Sequence, residues 1–203
     1  MEYTAFGIIV VCVVTLFSII LHEVAHGYVA YLFKDRTAFL AGRLTLNPLP
    51  HIDILGSVIL PLTSIFLSGS LFGWAKPVPV NTRNLVGKYA EFWVAAAGVL
   101  TNLFLVIISL ILAHIFSYYN VLGPAVEKVL LASVSINLSL FLFNLIPVPP
   151  FDGMSILQGL FPRLHMNSRI IYNPIYMIVA IVVASSLYSV IAPTVFSFVL
   201  SGL

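Results

Sequence analysis

From Phe92 to Phe116 the chain runs without a single Asp, Glu, Lys or Arg, and it does so again from Ala5 to Leu21 and from Ile175 to Val199. Val126 to Ile146 is almost as bare, with only Glu127 and Lys128 near its start. About 20 mostly apolar residues carry a helix across the ~30 Å hydrocarbon core of a bilayer. In lipid the backbone must satisfy its own hydrogen bonds, which leaves helices and closed barrels as the ways across. Runs this long and this uniformly apolar read as helices. Of 203 residues, 61% are hydrophobic and 8% charged, whereas soluble domains carry about 25% charged residues. So short a chain has no interior able to hide that much apolar surface. A soluble globular enzyme, a disordered chain and a coiled coil are therefore excluded. The net charge of +2 is small and dispersed, so no nucleic-acid partner is expected; the lipid bilayer is. Cys12 is the sole cysteine, which excludes a disulfide framework and a thiolate metal cluster.

The expected fold is an all-α polytopic membrane protein, one transmembrane domain over residues 1–203, with about four full crossings. The first run continues to Phe33 and is read as a retained span of roughly 43 Å at ~1.5 Å per residue, since it has no basic leader. Ile54–Phe72 is apolar but interrupted by Gly56, Pro61, Thr63 and Gly69, which predicts a re-entrant or broken helix. Arg43-Leu44-Thr45-Leu46 alternates with period two, and Lys76-Pro77-Val78-Pro79-Val80 places prolines at alternate positions. Both stretches predict short extended strands. They supply either an edge for strand addition or a shielding interfacial loop. Trp74 and Tyr89 are expected as interface anchors, as is His114.

One segment carries chemistry. In His22-Glu23-Val24-Ala25-His26 the two histidines stand four apart, on one helix face and one turn from each other. A single zinc ion can take both imidazoles, while Glu23 beside them can accept a proton from a metal-activated water. A carboxylate in mid-membrane costs on the order of 3 kcal/mol, and packing alone does not call for three polar groups within five residues. A catalytic zinc wants a third protein ligand. Asp152 leads, because Pro147, Pro149 and Pro150 unwind the helix before it; His51 and Asp53 stand behind, with capping of Ile54–Phe72 as their other role.

At this point the chain resembles the site-2 proteases, intramembrane zinc metalloproteases. Leu21-His22-Glu23-Val24-Ala25-His26-Gly27 is similar to the first motif of that family, and Phe143-Asn144-Leu145-Ile146-Pro147 through Phe151-Asp152-Gly153 to its second. Ala97-Gly98-Val99-Leu100-Thr101-Asn102 resembles a third segment, with Val99 where the family usually has proline. Gly42–Pro48 and Gly73–Asn81 resemble a compact bacterial and archaeal branch without PDZ or CBS domains. The resemblance implies one zinc per chain held by His22, His26 and Asp152, with Glu23 as general base. It also implies Asn144 as the donor to the oxyanion, Asn102 being the second candidate. The implied substrate is a transmembrane protein or peptide.

Placing Asp152 beside the histidines requires it to emerge on the side of Lys34. Four crossings do this, and they gather Lys34, Arg36, Arg43, Lys76, Arg83, Lys88, Arg163 and Arg169 on one side, leaving Lys128 opposite. Five crossings would divide the nine basic residues five against four. The positive-inside rule then predicts an outside amino terminus in the cell membrane and a site nearer the cytoplasmic side. Two other functions fit less well. An ion-coupled transporter predicts repeated halves, which this chain lacks. A non-proteolytic binder of transmembrane partners predicts a missing ligand or glutamate, and all four positions are intact.

Overall fold

The structure, a computed structural model, describes residues 5–59, 63, 75–164 and 174–200. The apolar runs form helices: α1 (Ala5–Leu32), α3 (Ala90–Tyr118), α4 (Pro124–Asn144) and α6 (Pro174–Leu200). Two shorter helices lie between them, α2 (Thr37–Leu40) and α5 (Asp152–Leu160). Among the described residues, four helices are long and apolar enough to cross a membrane, each extending to within a few residues of its expected ends. Pro124 opens α4 at the first helical position, where its missing N–H costs nothing. Pro193 sits inside α6.

Helices α1, α3 and α4 pack on one another, α5 lies against α3, and α6 leans on α4. Ala95, Ala96, Ala97 and Gly98 are all buried on α3; residues this small let neighbouring helix backbones approach closely. Val106, Val134 and Leu138 form the apolar centre between α3 and α4. Outward, large apolar side chains such as Ile9, Phe104 and Val190 stay exposed, as expected where the surrounding solvent is lipid. The Val86 N–H donates to the Phe33 carbonyl at 2.9 Å, tying the end of α1 to the approach into α3. A Cβ on Gly159 would meet the Phe92 Cα at 2.6 Å, so α5 runs close beside the start of α3.

No strand forms among the described residues, contrary to the expectation for Arg43–Leu46 and Val78–Val80. Side chains compete with a ladder there. Residues 44–46 form a bend, closed by His51 Nε2 donating to Thr45 O at 2.9 Å. Arg43 folds inward and donates to Lys76 O at 2.6 Å. Pro77 and Pro79 have no N–H, and those of Lys76 and Val78 are engaged by His51 O and Glu23. The Lys76 and Val78 donors are thus engaged within the chain rather than in a ladder. Ile54–Ile59 is π-helical, and Asp53 caps it by accepting from Gly56 N–H at 2.7 Å. The rest of Ile54–Phe72 apart from Thr63 lies outside the described residues, as do Trp74 and Arg169.

Asp35 fastens this connection. It is fully buried and accepts from the Thr37 hydroxyl and N–H, Asn84 Nδ2 and Asn81 N–H at 2.5–3.0 Å. Burial by itself raises the carboxyl pKa, but those hydrogen bonds outweigh it and hold Asp35 below the usual carboxylate range. A pKa lower in the folded than in the unfolded state adds stability above the unfolded value near ~4, and that contribution fades as pH falls through the folded value. Asp35→Asn is expected to destabilise the protein by about 1.5–3 kcal/mol at pH 7. Thermal melts in detergent check this: the gap to wild type should narrow below about pH 4, and a gap independent of pH would contradict the account.

Candidate metal centre

His22 and His26 project from the same face of α1, one turn apart, as their spacing requires. Each ring is held from behind. His22 Nδ1 lies 2.6 Å from Asn102 Oδ1 of α3, and His26 Nδ1 lies 2.7 Å from the Val94 carbonyl. An oxygen that only accepts requires an N–H on each Nδ1, so in the neutral, metal-ligating form of each ring Nε2 presents the lone pair. These two Nε2 atoms are 3.1 Å apart.

Asp152 arrives from the other side. After Asn144 the prolines end α4, and the chain turns back through Ile146–Phe151 to start α5 at Asp152. The turn is tight: a Cβ on Gly153 would meet the Ile146 carbonyl oxygen at 2.6 Å, so a side chain there would push α5 off α4. Phe143 braces it, with ring centroids 4.7 Å from Phe151 and 5.7 Å from Tyr188 of α6. Asp152 Oδ2 thereby stands 3.2 Å from His22 Nε2 and 3.2 Å from His26 Nε2. Three ligand-type atoms form a triangle with edges of 3.1–3.2 Å.

The donor set fits a metal ion. Tetrahedral zinc with bonds of ~2.0–2.1 Å separates its ligand atoms by about 3.3 Å, close to the observed edges. Asp152 Oδ2 is buried yet makes a hydrogen bond to no group, a costly state for a carboxylate oxygen unless a cation satisfies it. Among the described residues, His22, His26 and Asp152 are the group of ligand side chains that could hold a metal.

The other candidates are elsewhere. His51 is buried, with Nε2 on Thr45 O and Nδ1 3.5 Å from Arg43 Nη2. Asp53 is engaged in its cap. His114 and Tyr89 are exposed, the latter under the Lys88 ammonium at 5.0 Å. Glu23 is half-buried beside the triangle, where its Oε2 accepts from Val78 N–H at 2.8 Å. Asn144 Nδ2 donates to Leu140 O at 3.0 Å, one turn back along α4. Asn102 faces His22 and gives its amide N–H to Asn137 Oδ1 at 2.9 Å, so its free donor capacity toward an oxyanion is reduced. The sequence reading missed Asn137 and Ser18, which continue this chain of bonds. Their signal was available as polar side chains within apolar spans.

A bundle of apolar helices around a partly buried His–His–carboxylate triangle defines a polytopic membrane protein with a candidate metal centre. The peptidase family M50 model matches residues 114–188. YwhC of Bacillus subtilis (strain 168), a zinc metalloprotease by name, is 40% identical over 151 residues, covering 71% of this chain and 66% of YwhC. Rip2 of Mycolicibacterium smegmatis, also a zinc metalloprotease by name, is 30% identical over 147 residues, 70% of this chain and 54% of Rip2. Rip2 of Mycobacterium tuberculosis is 31% identical over 148 residues, with the same two coverages, 70% and 54%. The matched region thus spans less than two thirds of these relatives' own lengths. No solved structure matches the chain significantly. The chain belongs to peptidase family M50, the site-2 protease family.

Proposed function

We propose that this protein is a zinc-dependent intramembrane endopeptidase that cleaves transmembrane segments of protein substrates, as in regulated intramembrane proteolysis. The observation that carries the reading is the triangle of His22 Nε2, His26 Nε2 and Asp152 Oδ2 within a membrane-type bundle. These three side chains would hold one zinc ion per chain. Bound there, zinc supplies Lewis-acid polarisation of water and of the scissile carbonyl. Glu23 stands beside the metal ligands and takes the proton of the attacking water, then hands it to the leaving amine. Asn144, at the end of α4, donates an amide N–H to the developing oxyanion by turning from Leu140 or using its second N–H.

The whole of 1–203 acts as one domain in the cell membrane, with an outside amino terminus and the site nearer the cytoplasmic face. Two observations support that arrangement. Asp152 beside the α1 histidines puts the end of α4 at the Lys34 end of α1, which an even number of crossings from α1 through α4 would not allow. Eight of nine basic residues then share that end, as the positive-inside rule requires.

Metal content per chain and cleavage of a model transmembrane substrate test this in detergent-purified wild type, His22→Ala and Asp152→Ala. Wild type should carry about one zinc, as a site with three protein ligands does, and both variants should lose zinc and activity together. Wild type without zinc after zinc-replete purification would overturn the metal reading. Zinc retained in Asp152→Ala would remove Asp152 as a ligand.

A further inference from the structure

The bonds that run back from His22 have a direction, and a backbone carbonyl sets it. Asn137 Nδ2 lies 2.9 Å from Ser133 O and 2.9 Å from Ser18 Oγ. A carbonyl oxygen only accepts, so the amine end of Asn137 must face Ser133, and its Oδ1 end faces α3. There it accepts from Asn102 Nδ2 at 2.9 Å. Asn102 is therefore obliged to turn its own Oδ1 to His22, at 2.6 Å from Nδ1. An acceptor at that point demands Nδ1–H on His22, which in the neutral imidazole leaves Nε2 with its lone pair. Asn102, Asn137 and Ser18 are all buried, at 0%, 1% and 3% exposure, where water has little access to substitute for a missing partner.

An asparagine amide is nearly symmetric in shape and unsymmetric in chemistry. Flipped, Asn102 would direct N–H groups at His22 Nδ1 and favour the tautomer protonated on Nε2, which cannot ligate the metal through that atom. We propose that Asn137 is a positioning residue for the metal: through Asn102 it fixes the tautomer of His22, two side chains away. This rests on His22 being a metal ligand. Without Asn137, the unflipped Asn102 leaves a buried N–H without a partner, whereas the flipped one leaves only a carbonyl oxygen so. Orphaned N–H groups are the rarer and worse tolerated of the two. The flipped, non-ligating arrangement then gains population in the metal-free protein.

The test is zinc affinity, read by competition with a chromophoric chelator on metal-stripped protein in detergent. Asn137→Leu is expected to weaken zinc about tenfold, at the low end of what outer partners of ligating histidines contribute, and Asn137→Ala serves if Leu does not fold. Ser109→Ala removes the 2.7 Å Ser109–Ser133 hydroxyl bond between the same two helices without touching the relay, and should keep wild-type affinity. Asn102→Asp supplies an oxygen to His22 whichever way it turns, so in that background Asn137→Leu should no longer matter. The relay is overturned if Asn137→Leu binds zinc within twofold of wild type. It is equally overturned if Ser109→Ala loses as much, or if the loss persists in the Asn102→Asp background. A wild type that takes up no zinc overturns the metal reading itself, a result distinct from all three.

Discussion

Glu23→Gln is expected to lower cleavage of a transmembrane substrate by at least 100-fold while the protein stays folded and metallated. General base catalysis contributes about 10²–10⁴ in rate, and an amide cannot take a proton from water at neutral pH. The substitution is otherwise quiet. Glu23 Oε2 accepts from Val78 N–H at 2.8 Å, and the Gln carbonyl oxygen can accept the same bond. Glu23 is not part of the His22–His26–Asp152 group, so zinc content should match wild type. Initial rates and metal content measured on one preparation check both halves. A Gln variant within tenfold of wild-type activity would remove Glu23 as the base, and one that is inactive but metal-free would show that Glu23 supports the site instead.

Much of this molecule is written in its one-dimensional pattern, because in a membrane one constraint dominates. A backbone without water must close its own hydrogen bonds, so charge-free runs such as Phe92–Phe116 translate directly into helices such as Ala90–Tyr118. The pairing of His22 with His26 was legible for a similar reason, since a four-residue spacing on a helix fixes which face both occupy. Asp152 was legible less directly. Three prolines said that α4 must end, and the expected metal said what the freed carboxylate could be for. Connections between helices obey no such single rule. Arg43–Leu46 alternates like a strand, yet the buried Arg43 and the His51 bond to Thr45 O bend it, and neither partner is adjacent in sequence. Val78 on Glu23 and Asn137 on Asn102 are contacts between residues 55 and 35 positions apart. Pattern says that such polar groups need partners, and only packing says which.

Gly98→Ala is expected to abolish metal binding although alanine is the better helix former by about 1 kcal/mol. Gly98 lies inside α3, facing α1, in the turn that also carries Asn102. A Cβ placed on it would meet His26 Nε2 and, at 2.5 and 2.6 Å, Cε1 and Nε2 of His22. These are the nitrogens that face Asp152, so the added methyl would intrude on the space where the ligands converge. Neither ring can simply retreat. His22 is held from behind by Asn102 and His26 by the Val94 carbonyl, both on the same helix as Gly98. Pushing the rings away breaks those bonds; pushing α3 away opens its packing on α1. Zinc affinity should therefore fall by at least 100-fold, beyond the loss from disturbing one outer partner, and cleavage should fall with it. Gly123→Ala is the matched control, since nothing lies within 4 Å of its Cβ position, and it should leave zinc affinity unchanged. Wild-type zinc affinity in Gly98→Ala would mean that the histidines bind metal in an arrangement other than the one α3 imposes.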